Sequence, residues 1–170
     1  VRSSGSLLLD IALGGGFAKG RLILLQGPEK AGKTSIACMA IAEAQQMEPE
    51  KSTAIIDLEQ SLNLNWAYTL GVDTEKLMIL QPDTYAEKVY DMLEYMIKSE
   101  KFSVIVLDSV DALIPKDEFE ETDWDKESRV GGIAKLNSKA IRKIINSGLL
   151  RKSETTLIFI QQIRDKIGGF

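Results

Sequence analysis

Five short runs rich in Ile, Leu and Val, at 22–26, 53–57, 77–81, 103–108 and 156–161, punctuate this chain at long intervals. None alternates strictly with polar residues, so each predicts a strand buried on both faces, the habit of a parallel sheet covered by helices. The segments between them carry a helical period. They run over 33–47 after a glycine turn, 63–70 ending at Gly71, 85–97 after Pro82-Asp83-Thr84, and 132–146 with Gly148 as terminator. A short amphipathic stretch, 6–13, precedes the first run and ends in Gly14-Gly15-Gly16. Strand and helix therefore alternate as a βαβ series, which predicts an α/β domain with a mostly parallel, twisted sheet flanked by helices.

At 170 residues the chain has room for one domain with a real core and is short for two. Its 44% hydrophobic and 27% charged content is that of a soluble protein, and no uncharged run nears membrane-spanning length, so no membrane partner is expected. Val1 in place of Met, with no basic-then-apolar leader, predicts a trimmed piece of a longer chain. The sequence has no histidine. That excludes Ser-His-Asp triads, His acid-base chemistry and His-ligated zinc. The lone Cys38 closes no intramolecular disulfide and reads as a buried apolar filler, consistent with a reducing compartment. Twenty-one basic against twenty-five acidic residues leave a net charge of -4, which taken as a whole repels a polyanion.

The strongest local signal is Gly27-Pro28-Glu29-Lys30-Ala31-Gly32-Lys33-Thr34, a G-x-x-x-x-G-K-[ST] pattern between an apolar strand and a helix. Here Gly27 and Gly32 are expected to let the backbone curl, so that N–H groups and the positive end of the next helix face nucleotide phosphates. Lys33 adds a charge near the β- and γ-phosphates, and the Thr34 hydroxyl is placed to ligate Mg²⁺. These eight residues and Ser35 are the candidate nucleotide-binding stretch. Asp108 ends the fourth run, at the sheet edge where ligands of open α/β sheets gather, and is expected to hold the magnesium shell through water. The second run ends in Asp57-Leu58-Glu59, two carboxylates on one side of an extended chain. One of them could activate an attacking water. Glu59, farther beyond the strand, is preferred, with Asp57 as the alternative. The fifth run ends in Gln161-Gln162-Ile163-Arg164, whose amides either sense a phosphate or are solvated.

Together these motifs resemble the ATPase core of the bacterial and phage RecA recombinase family. The likeness also rests on Gly5-Ser6-Leu7, Leu9-Asp10-Ile11-Ala12-Leu13-Gly14, Leu70-Gly71-Val72-Asp73, Gln81-Pro82-Asp83-Thr84, Ala112-Leu113, Pro115-Lys116 and Lys166-Ile167-Gly168. The resemblance implies a P-loop ATPase fold of the RecA type over 1–170, lacking parts of the family's chain at both ends. It implies an ATP- and Mg²⁺-using, DNA-dependent ATPase of the bacterial cytoplasm or a phage-infected host. In its full-length filament such a protein pairs single-stranded DNA with a homologous duplex and exchanges strands. It makes Glu59 the activator of the hydrolytic water, with Lys33 and Gln162 completing the catalytic set, Gln162 linking the γ-phosphate to a DNA-binding loop. It puts Trp66 against the adenine, with Asn63 where the family usually has Asp. A hexameric helicase-type motor and a non-catalytic nucleotide-gated assembly module are the competing readings.

The resemblance further places two DNA-binding loops at about 119–132 and from Arg164 onward, with Val130 and Ile167 as apolar wedges and Lys135, Arg142 and Arg164 at phosphates. The first loop carries Asp117, Glu118, Glu120, Glu121, Asp123, Asp125 and Glu127 against Lys116, Lys126 and Arg129. Such acidity repels phosphate at close range. From Ile133 to Lys152 the sign reverses, with six basic residues and no acidic one. On a helix, Lys135, Lys139, Arg142 and Lys143 form a stripe opposite Ile133, Leu136, Ala140, Ile141 and Ile144. The net charge thus conceals a local phosphate-binding face.

Overall fold

A computed structural model of the chain describes residues 1–121 and 131–163. Among these residues the five apolar runs form β1 (Leu22–Gly27), β2 (Ser52–Asp57), β3 (Leu77–Leu80), β4 (Phe102–Asp108) and β5 (Thr156–Gln162). They make one sheet in the order β1-β5-β4-β2-β3. Every pairing is parallel, as the continuous apolar runs predict. The helices are α1 (Leu7–Ala12), α2 (Lys33–Met47), α3 (Leu64–Thr69), α4 (Ala86–Lys98), α5 (Lys116–Phe119), α6 (Gly132–Asn146) and α7 (Leu149–Ser153). No helix among the described residues is long and apolar enough to cross a membrane.

Successive strand side chains point to opposite faces, and this splits the core into two layers. Ile105, Leu107, Leu157 and Phe159 pack with Val89, Leu93 and Ile97 of α4, Ile144 of α6 and Leu150 of α7. Val104, Val106, Ile158 and Ile160 pack on the other side with α2 and Ala67 of α3. The buried face of α2 consists of Ala37, Cys38, Ala40, Ile41, Ala42 and Ala44. Five of these six side chains are small, so the helix axis lies close to the sheet and its first turn is held at the carboxyl end of β1. Cys38 is a filler of this layer, as expected. Burial, helped by the negative charge of Asp108, pushes its thiol up to about 11, so it stays protonated and inert at neutral pH.

One expectation needs correction. Burial on both faces holds for β2, β4 and β5, but Leu24 in β1 and Met78 in β3 are 52% and 44% exposed. Both belong to edge strands, and both lie on the α4–α6–α7 side, whose helices cover the middle of the sheet and not its rims. Gly148 follows the last turn of α6 directly, as its reading as a terminator expects. It takes φ 73 and is also the N-cap of α7, so one glycine both ends a helix and starts another.

Candidate functional site

The carboxyl ends of four strands meet at one edge of the sheet. Register decides which residues stand level: Gly27 pairs with Gln162 across β1 and β5, and Asp57 with Asp108 across β2 and β4. The phosphate-loop pattern spans the turn from β1 into α2. Gly32 is left-handed at φ 84, a conformation that favours glycine, and Lys30 is the loop's second left-handed residue at φ 60. Gly27, expected to curl as well, instead completes β1 without a positive φ. A Cβ added there would lie 3.6 Å from Ala31 Cβ, an ordinary contact. The chain's own packing therefore leaves room for a side chain at Gly27.

Lys33 curls back over this loop, its Nζ donating to the carbonyls of Gly27 at 2.9 Å and Pro28 at 2.6 Å. The ammonium is thereby held at the loop's mouth with one of its three N–H groups to spare among the described contacts. Beside it, the Thr34 hydroxyl donates to Asp108 Oδ2 at 2.8 Å. Asp108 is buried, and this burial raises its carboxyl above the ordinary value; Thr34 and Lys33 oppose the rise, while the charges of Glu59 and Asp57 add to it. A hydroxyl and a carboxylate crowded by two more carboxylates are the hard oxygen donors that suit Mg²⁺. No group of three His, Cys, Asp or Glu side chains among the described residues converges on a metal position.

The two carboxylates after β2 differ sharply. Asp57 is 1% exposed and accepts from the backbone N–H groups of Ser61 and Leu62 and from Gln81 Nε2 at 2.9 Å. Three of its roughly four lone-pair sites hold the β2 exit loop. Glu59 is exposed at the mouth, where Ser109 Oγ donates to its Oε1 and Gln162 Nε2 approaches the same oxygen at 3.4 Å. Gln162 is held from behind, its backbone N–H donating to Asp111 Oδ2 at 2.6 Å, and the next N–H, of Ile163, donates to Gly27 O at 3.0 Å. Gln161 turns to Gln26, accepting from its amide at 3.2 Å. Ser109 and Asp111 were not among the residues singled out from the sequence; only their position just past an apolar strand end marks them.

Trp66 is half-exposed and its indole N–H donates to Ser35 Oγ at 3.0 Å, so the ring stands beside the start of α2. Asn63 uses its Oδ1 to cap α3, accepting from the backbone N–H of Trp66. The basic stripe on α6 divides. Lys135 and Arg142 face outward, whereas Lys143 is paired with Glu94 of α4 at 2.5 Å and Lys139 lines a groove with Glu87, Asp91 and Glu94. Reading α6 alone could not reveal that α4 presents carboxylates to half of that stripe. Val130, Arg164 and Ile167 lie outside the described residues.

Comparison with known proteins bears on the whole chain. The chain is 48% identical to the RecA protein of Mesoplasma florum over 169 residues, covering 99% of this chain and 49% of that relative. It is 47% identical to RecA of Bacillus subtilis over 166 residues, covering 97% of this chain and 46% of that one. It thus spans about half the length of the curated relatives it matches. Among solved structures, the RadB recombinase superposes with a TM-score of 0.66 at 26% identity, over 95% of this chain and 70% of that one. The family model for the RecA N-terminal domain matches residues 1–170, and the chain belongs to that family.

Proposed function

We propose that this chain is the nucleotide-binding core of an ATP-dependent DNA recombinase, one that hydrolyses ATP when bound to single-stranded DNA. The observation that carries the reading is the convergence, at one sheet edge, of a lysine-bearing phosphate loop, a Thr34–Asp108 pair and an exposed Glu59 joined to Gln162. Gly27 to Ser35 would cradle the phosphates, Thr34 would ligate the ion and Asp108 would steady it through water. Mg²⁺, when bound, neutralises charge on the phosphate oxygens. Glu59 orients and deprotonates the attacking water. Lys33 draws charge from the transferred phosphoryl group. Gln162 links that site to the DNA-binding segment that begins at Arg164, and Trp66 stacks on the adenine beside Asn63.

Single-stranded DNA lies along the outward face of α6, with Lys135 and Arg142 at phosphates and Arg164, Val130 and Ile167 completing the contact. In the full-length protein, a cytoplasmic one, copies assemble into a helical filament that pairs the strand with a homologous duplex. Removing one phosphate contact on a single strand lowers the slope of log affinity against log salt by about 0.7. Lys135→Ala and Arg142→Ala are each expected to lower it by that amount, whereas Lys143→Ala, already paired with Glu94, leaves it unchanged. Titrating a labelled oligonucleotide at several salt concentrations reads this directly.

A strand-exchange assay on the full-length protein tests the reading. Joint molecules that require both ATP and homology are expected. Unwinding of a tailed duplex without any need for homology would instead identify a helicase-type motor.

A further inference from the structure

The exit of β5 is held by a residue to which none of the site chemistry above assigns a part. Asp111 sits on the short 3-10 turn Val110–Ala112, just past β4. The turn is rigidly mounted, because Val110 and Leu113 on either side are buried in the core and the N–H groups of Ala112 and Leu113 bond back to Ser109 and Val110. From this mount the Asp111 carboxylate reaches across to accept the Gln162 N–H at 2.6 Å, a charge-assisted bond of the stronger kind. Two residues earlier, Ser109 on the same segment donates to Glu59. One stretch of chain therefore grips both members of the Glu59–Gln162 pair, from the β2 exit and from the β5 exit.

We propose that Asp111 is a positioning residue of the hydrolytic site: it fixes the backbone at Gln162 so that the side-chain amide meets Glu59. This rests on the function proposed above. The distances make the dependence sharp. The Gln162 amide stands 3.4 Å from Glu59 Oε1, at the limit of a hydrogen bond, so a small drift of the β5 exit breaks the contact. An exit strand freed from Asp111 keeps its pairing with β1, which ends in the Ile163 N–H bond to Gly27 O, but loses the acceptor of the Gln162 N–H itself.

The test uses the full-length protein with Asp111→Ala and the conservative Asp111→Asn, whose amide oxygen still accepts. Hydrogen exchange at the Gln162 amide, measured without nucleotide, is expected to quicken about tenfold or more in Asp111→Ala and to stay within about threefold of wild type in Asp111→Asn. DNA-stimulated kcat is expected to fall about tenfold in Asp111→Ala with KM for ATP within about twofold, and to recover in Asp111→Asn. Unchanged exchange at Gln162 overturns the proposal. So does quickened exchange with an unchanged kcat, or an Asn variant as impaired as the Ala variant. A wild-type protein that hydrolyses no ATP refutes the proposed function and, with it, the catalytic part of this inference, while the exchange measurement still decides whether Asp111 anchors Gln162.

Discussion

Glu59→Gln is expected to lower ATP turnover on single-stranded DNA by about 10² to 10⁴-fold, with nucleotide affinity within about threefold of wild type. Glutamine preserves shape and can still accept from Ser109 and Gln162, so the geometry of the mouth survives. It cannot take a proton from water. The neighbouring carboxylate supplies the contrast. Asp57 accepts three hydrogen bonds that hold the β2 exit, one on Oδ1 and two on Oδ2; Asp57→Asn keeps a single acceptor oxygen, so at best the bonds from Leu62 and Gln81 survive as neutral ones while its NH2 faces the Ser61 N–H, a loss of about 1–3 kcal/mol. Its expected signature is a loss of stability in urea unfolding, with turnover per folded molecule retained. A turnover collapse in Asp57→Asn and normal turnover in Glu59→Gln would exchange the two roles.

Arg2→Ala is expected to destabilise the fold by about 3–5 kcal/mol, the usual result of removing one partner from a buried ion pair. The side chains of Arg2 and Glu48 are only 3% and 12% exposed. The guanidinium forks onto both Glu48 oxygens, at 2.7 and 2.9 Å, and also donates to Glu154 O and Thr156 Oγ1. Together with the backbone bridge between Arg2 and Phe17, it ties the first residues to the end of α2 and the start of β5. After truncation Glu48 keeps only Lys19, at 3.0 Å, as a charged partner. Lysine at position 2 would restore the charge without the fork and is expected to recover only part of the loss.

The same pair sets a pH dependence. Burial raises the Glu48 carboxyl, but its bonds to Arg2 and Lys19 outweigh this and hold it below the ordinary value of 4.5. A depressed folded value means stability that is present above about pH 4.5 and is lost as pH falls through the folded value. Urea midpoints measured from pH 7 downward are therefore expected to fall for the wild type below that point, and to lose this component in Arg2→Ala.

Much of the scaffold was legible from residue order because parallel strands buried on both faces leave continuous apolar runs, and a phosphate loop leaves glycines at a fixed spacing. Both are local patterns. The limits of α2 and α6 could be read to the residue, since periodicity and flanking glycines agreed there. What escaped was set by register and packing. That Asp57 is occupied while Glu59 is exposed depends on Ser61, Leu62 and Gln81 folding back onto one carboxylate. The part played by Asp111 depends on β5 lying beside β4, which brings together residues 51 positions apart. The loss of Lys143 from the basic stripe depends on α4 and α6 sharing one face of the sheet. A single chain segment, read alone, carries none of these.

The central claim is that the carboxyl edge of this sheet hydrolyses ATP in response to DNA. Steady-state ATP turnover by the full-length protein, with and without single-stranded DNA, tests it most directly, with Glu59→Gln measured alongside. The account predicts turnover that rises on adding single-stranded DNA and falls by at least about 10²-fold in Glu59→Gln. Turnover that ignores DNA, or stays near the wild-type rate in Glu59→Gln, would contradict it.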